Sequence, residues 1–384
     1  MNISAKTKLI AILFFVYLSS ASLTFAFWPS PSSSLVSPNV ITDSSGQPTI
    51  NPGEPKTESC PLNGALHTKT EKDLWETRRP MAVMIENHEE ARPQSGLSKA
   101  DIVYETIAEG GITRFMAVYY CNAAFGDTIL GPVRSARTYF LDWASEYSSN
   151  PIYVHVGGAN TPGKADALGQ ITKYGWSGEN DFNQFGLSVK ECKRDYNRIG
   201  REVATEHTMV CFTKSLWALA DKRGWAAENE EGESWKETFS SWKFTDKASD
   251  TGESATSITF DFWDKFSQYT VGWEYSADTG VYKRVNAGKS HIDINTDNQL
   301  EATTVMVQFV KETGPIDDLK HMLYGTIDTG KAVVFTNGQS ENLTWKKKTR
   351  LDRTIFYDLK GKEYKFQQGK IWIEAVPTGN TVSY

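Results

Sequence analysis

The chain has 384 residues and a formal net charge of −6, with 39% hydrophobic and 12% aromatic side chains, a composition that folds rather than one that stays disordered. Its acidic balance excludes the basic background of a nucleic-acid binder. The 6 histidines are scattered and the 4 cysteines lack C-x-x-C spacing, and neither H-E-x-x-H nor an acidic calcium-loop pattern occurs, so no metal and no cofactor is expected.

Lys6 and Lys8 precede an apolar run over residues 9–18, and no acidic residue comes before Asp43. That is the charge order of a secretory leader. Residues 9–28 also form about 20 uncharged residues, enough to span a bilayer as a helix, with Trp28 where an interfacial aromatic would sit. Residues 1–28 therefore read as a signal segment or a transmembrane anchor, with Thr24-Phe25-Ala26 as the alternative cleavage site. Residues 29–59, rich in Ser, Pro, Thr, Asn and Gly, read as a disordered linker. The folded part is expected outside the cytoplasm, secreted or held at the outer face of the cytoplasmic membrane.

Residues 60–227 mix strand and helix signals. Apolar runs at 102–108 and 112–121 flank Glu109-Gly110-Gly111, which predicts a hairpin. Residues 81–85 and 152–156 read as further strands. Tyr139, Phe140, Trp143, Ala144 and Tyr147 recur at helical spacing and predict an amphipathic helix over 135–147. A strand at 209–212 leads into a helix at 215–222. Residues 228–255 are polar and connect to 256–384, where short β-rich runs alternate with turns at Gly280, Asn337-Gly338, Lys360-Gly361 and Gly369. The expected fold class is α+β: a layered sheet/helix N-terminal domain followed by a β-rich C-terminal domain, a sandwich or a curled antiparallel sheet. Cys60, Cys121, Cys192 and Cys211 allow two disulfides in any of three pairings, or buried thiols.

Several ungapped stretches resemble the YerB-like lipoprotein family. They are Glu86-Asn87, Ala91-Arg92-Pro93-Gln94-Ser95-Gly96-Leu97, Ala100-Asp101-Ile102-Val103-Tyr104-Glu105 and Gly131-Pro132-Val133-Arg134-Ser135-Ala136-Arg137. Tyr153-Val154-His155-Val156-Gly157-Gly158 belongs with them. Tyr282-Lys283-Arg284, His291-Ile292-Asp293 and Gly369-Lys370-Ile371-Trp372-Ile373 resemble that family's C-terminal domain. The resemblance implies a layered N-terminal domain and a membrane-associated life, and no activity. Glu86 stands where the family usually has Asp, and a Pro-His-Asn motif is replaced by Glu206-His207-Thr208. The first cysteine, Cys60, lies far past any leader junction, so a transmembrane segment would replace the family's lipid anchor.

The candidate chemistry centres on the loop before the 135–147 helix. Arg134 and Arg137, three apart beside helix N-terminal amides, offer two guanidinium groups to an anion. Their alternative is to pair with Glu86, Asp101, Glu105 or Glu109, and Arg92 and Arg114 belong to either arrangement. Asn87, Glu105 and the strand-end His155 complete the expected binding set. Two function classes follow: a protein binding an anionic envelope ligand (glycan, polyprenyl phosphate or wall polymer), or a non-catalytic scaffold that docks another envelope protein.

Overall fold

The computed structural model describes residues 41–42, 48–247 and 252–384. The expected leader and anchor lie outside the described residues, and among those residues no helix is long and apolar enough to cross a membrane. Within the stretch read as linker, Lys56–Ser59 forms a strand that pairs antiparallel with Leu66–Thr68. The reason is local: Cys60 is tied to Cys121 and buried, which holds the preceding residues against the body.

The architecture is strand-dominated, with mixed sheets and few helices. Its frame is an 11-stranded mixed sheet among the described residues. From one edge the strands run Asp181–Asn183, Ile152–His155, Met81–Glu86, Ile112–Tyr119, Ile102–Glu109, Ile371–Pro377, Thr304–Val310, Thr329–Thr336 and Gln339–Lys346. Glu253–Ser254 and Ile355–Asp358 both pair with Gln339–Lys346. The expected hairpin forms, with Glu109 opposite Ile112 and positive φ at both Gly110 and Gly111, a turn geometry that residues without Cβ adopt freely. The last strand, Ile371–Pro377, is parallel to both Ile102–Glu109 and Thr304–Val310 and lies between them. All seven of its residues are buried, as a strand covered on both faces requires. The N-terminal and C-terminal regions therefore share one sheet. A smaller sheet packs Ser257–Phe260, Val271–Ser276 and Val281–Asn286 with Lys289–Ser290 and Glu301–Ala302.

The helix expected over 135–147 is shorter, Thr138–Ala144 followed by a 3-10 turn at Ser145–Tyr147, and it is buried nearly all round rather than amphipathic. Its start is displaced because Val133 to Ala136 run extended. Arg134 N–H donates to Met84 O, and Ala136 N–H donates to Gly157 O. Arg137 is the N-cap and makes no side-chain cap bond. Both disulfides form, Cys60–Cys121 and Cys192–Cys211, and no cysteine among the described residues is free. The second joins residues directly opposite each other in Cys192–Arg194 and Met209–Phe212.

Candidate functional site

Of the four arginines expected in the anion site, Arg114, Arg134 and Arg137 each meet a carboxylate instead. Arg134 Nε donates to Glu86 Oε1 at 2.9 Å, and Glu86 Oε2 lies 2.9 Å from His207 Nδ1. Arg137 and Arg114 converge on Glu109, with contacts of 2.5 and 2.9 Å. Burial pushes against ionisation of Glu109, but the two guanidinium charges outweigh it and take its pKa down to about 2. The loop thus carries a closed ion network, because its residues are extended and face the carboxylates of Met81–Glu86 and of the hairpin. Arg134 and Arg137 do not share a helix face. His155 also lies apart, fully buried, with Nε2 2.6 Å from Asp181 Oδ1 and Nδ1 2.6 Å from Gly157 O.

Three of the expected residues do come together. Asn87 Nδ2 donates to Glu105 Oε1, and Arg92 Nε donates to Asn87 Oδ1 at 3.0 Å. Glu105 continues into a buried lattice centred on Arg284, which reaches Glu105 Oε2 at 2.5 Å and Glu374 Oε1 at 2.7 Å. Register explains the meeting: Glu374 and Glu105 are opposite one another on parallel strands. Phe115, Trp273 and Trp372 present ring faces to Arg284, the closest centroid at 4.8 Å. One guanidinium faces two carboxylates at zero exposure, and burial raises the Glu374 pKa well above the carboxylate range despite Arg284. Arg92, Asn286 and His291 line a hollow of about 500 Å³ above this lattice.

His88, Glu90 and His207 bring three ligand-type atoms within 4.8 Å of one another. The two imidazoles stack at 15°, so their in-plane lone pairs run parallel rather than to a shared point, a poor arrangement for tetrahedral zinc. Asp101, near Cys60 and Cys121, is occupied differently. Its carboxylate accepts the Tyr120, Cys121 and Asn122 N–H groups, while burial raises its pKa to about 6.

A cleft of about 660 Å³ has the opposite electrostatic character from the arginine loop. Lys56, Lys99, Lys283 and Lys370 line it, and among the described residues none of them has a carboxylate within ion-pair distance. Lys370 Nζ is withdrawn from solvent and donates to the main-chain oxygens of Leu97 and Ser98 at 2.9 and 2.6 Å. Burial lowers its pKa to about 8. His67, 7% exposed, and Ser98 also line the cleft, and His67 Nε2 and Ser98 Oγ are buried without a hydrogen-bond partner. Of the two acidic groups, Glu71 is committed to the capping box of Lys69–Trp75, and Glu301 stands opposite Lys283 across a strand pair. Spacing does not reveal this set, since it is drawn from positions 56 to 370. Only Lys283 and Lys370 fall inside motifs visible in the sequence.

Fold and site together define a class: a disulfide-bonded, strand-dominated protein of two interlocked modules, with a lysine-lined cleft and a buried charge lattice at the shared sheet. The family of proteins of unknown function DUF3048 matches in both its parts, the N-terminal domain over residues 64–226 and the C-terminal domain over residues 258–373. The chain belongs to that family. It is 30% identical over 332 residues to YerB of Bacillus subtilis strain 168, whose name marks it as a candidate lipoprotein; the match covers 85% of this chain and 88% of that protein. The crystal structure of Bacillus subtilis YerB superposes with a TM-score of 0.67 at 25% identity, covering 85% of this chain and 100% of that one.

Proposed function

We propose that the protein is an extracytoplasmic, membrane-associated binding protein whose lysine-lined cleft takes an anionic envelope ligand. The observation that carries this reading is Lys370. An ammonium taken out of water is costly unless a counter-charge meets it; here its hydrogen bonds go to two carbonyls, and Asp293, Asp101 and Glu301 act on it only from beyond ion-pair distance. An anion entering the cleft supplies that counter-charge and meets Lys56 and Lys99 on the way in. The export part of the reading is supported by the basic-then-apolar N-terminus, by two disulfides of the kind that persist in oxidising compartments, and by the lipoprotein name of the Bacillus relative.

Calorimetric titration with pyrophosphate tests the cleft. The wild-type protein binds it, and Lys370→Met weakens binding by about tenfold or more, the value of one charge-assisted hydrogen bond. Equal affinity in the wild type and in a Lys56→Ala/Lys99→Ala/Lys370→Met variant would sink the reading.

A further inference from the structure

The cleft does not end at Lys99. Lys99 and Thr296 also line a second hollow, of about 520 Å³, on the other side of the turn Leu97–Lys99. With Lys99 and Thr296 in both linings, the two hollows adjoin at the turn Leu97–Lys99.

The second hollow repeats the peculiarity of the first. Its half-buried cation is Arg198, whose guanidinium donates to the main-chain oxygens of Pro93 and Ala91 and has no carboxylate within ion-pair distance among the described residues. Burial lowers its pKa to about 10, and its Nε is buried without a hydrogen-bond partner. Ser95, 1% exposed, lines the same hollow with an unpartnered Oγ, as Ser98 does in the first. The two acids present are already engaged: Asp127 Oδ1 accepts the Thr213 hydroxyl and the Lys214 N–H, and Asp195 Oδ1 accepts the Asn197 N–H.

Resting on the reading of the cleft as an anion site, we propose that the ligand is a linear polymer carrying anionic groups at regular intervals, threaded through both hollows so that Lys370 and Arg198 each receive one group. A single small anion satisfies one hollow and leaves the other cation uncompensated; a polymer satisfies both, and its intervening unit passes the turn beside Lys99. Nucleic acid, also a polyanion, fits less well. No aromatic side chain other than His67 lines either hollow among the described residues, so bases would find no stacking platform.

The test is affinity against chain length, using linear polyphosphates from two phosphates upward and, as the carboxylate arm, oligogalacturonates of matched length. Affinity is expected to rise at least tenfold between the dimer and chains long enough to reach the second hollow, then level off. Arg198→Met removes that rise, and pyrophosphate binding then rests on the Lys370 hollow alone. Because Arg198 also holds two carbonyls, Ile129→Glu serves as the folding-neutral counterpart: Ile129 lines only the second hollow and is 40% exposed. A wild-type affinity independent of chain length overturns the polymer while leaving the anion site standing; absence of pyrophosphate binding overturns both. A dT oligonucleotide of equal charge binding as tightly as polyphosphate also overturns it, in favour of general polyanion adhesion. A rise with polyphosphate alone assigns phosphate rather than carboxylate as the repeating group.

Discussion

Two cationic regions of this molecule look alike in sequence and differ in what their charges have been given to do. In the loop from Gly131 to Arg137 and the hairpin beside it, Arg114, Arg134 and Arg137 all meet Glu86 or Glu109 at ion-pair distance. In the hollows beside Leu97–Lys99, Lys370 and Arg198 are half-buried and their hydrogen bonds among the described residues go to main-chain carbonyls. The first set is internally neutralised, and a ligand anion would have to displace a carboxylate to enter. In the second, no carboxylate among the described residues lies at ion-pair distance, and the acids that act on Lys370 and Arg198 do so from farther off. The presence of cations therefore says little about anion binding until their partners are known.

The contrast is broken most directly at Glu109. Glu109→Ala strands Arg114 and Arg137 and is expected to cost about 3 kcal/mol, the low end for breaking a buried pair because Glu109 keeps 25% of its side chain in solvent. Thermal melts measure it, and a melting temperature unchanged from wild type would dissolve the distinction between the two regions. The same pair predicts an acid limb. Glu109 in the fold lies at about 2 against an ordinary 4.5, so its contribution is complete above 4.5 and is lost as pH falls from there toward 2. Glu109→Gln flattens that part of the pH profile.

Lys370 predicts the opposite limb. Its folded pKa of about 8 lies below the ordinary 10.5, so between those values the unfolded chain holds a proton that the folded chain has released, and stability rises with pH across that window. Lys370→Met removes the rise and, at neutral pH, changes stability by about 1 kcal/mol at most, lost carbonyl bonds offsetting the relieved charge. Pyrophosphate affinity, measured by calorimetry, falls as pH passes 8. If it holds to pH 10, the exposed lysines alone carry binding. The smallest effect belongs to Lys99→Ala: the side chain is exposed and unpaired, so stability stays within about 0.5 kcal/mol while anion affinity drops several-fold.

Much of the fold was legible where side chains alternate or cluster cleanly. The hairpin at Gly110-Gly111 and the strands later seen as Val271–Ser276, Val281–Asn286 and Ile371–Pro377 were all readable. The strand Gln339–Lys346 was not, because only Leu343 and Trp345 mark its buried face among Glu341, Asn342 and other polar residues. The helix over 135–147 was placed too early: helical spacing reports the apolar residues but not that Arg134 is already held extended by Met84. Of the expected binding residues, Arg92, Asn87 and Glu105 share one network, whereas Arg114, Arg134 and Arg137 satisfy carboxylates brought near by pairing. Lys370 lies in a motif visible in the sequence and Arg198 in none, but what sets both apart is the lack of an ion-pair partner among the described residues, a property of tertiary structure alone.

The strand Ile371–Pro377 makes the frame a keystone arch rather than two stacked blocks. The hydrogen bond from Thr106 to Ala375 closes a separation of 269 residues, and the strands on either side of the insertion do not pair with each other. A growing or threading chain therefore cannot complete its main sheet from the N-terminal side. It stays open, with one edge at Ile102–Glu109, until Ile371–Pro377 arrives, a folding order slowed by long-range closure. Chains cut between residues 311 and 370 share one defect whatever the position of the cut: Ile102–Glu109 and Thr304–Val310 each keep an unpaired edge with no strand to join them, the kind of exposed edge that invites aggregation.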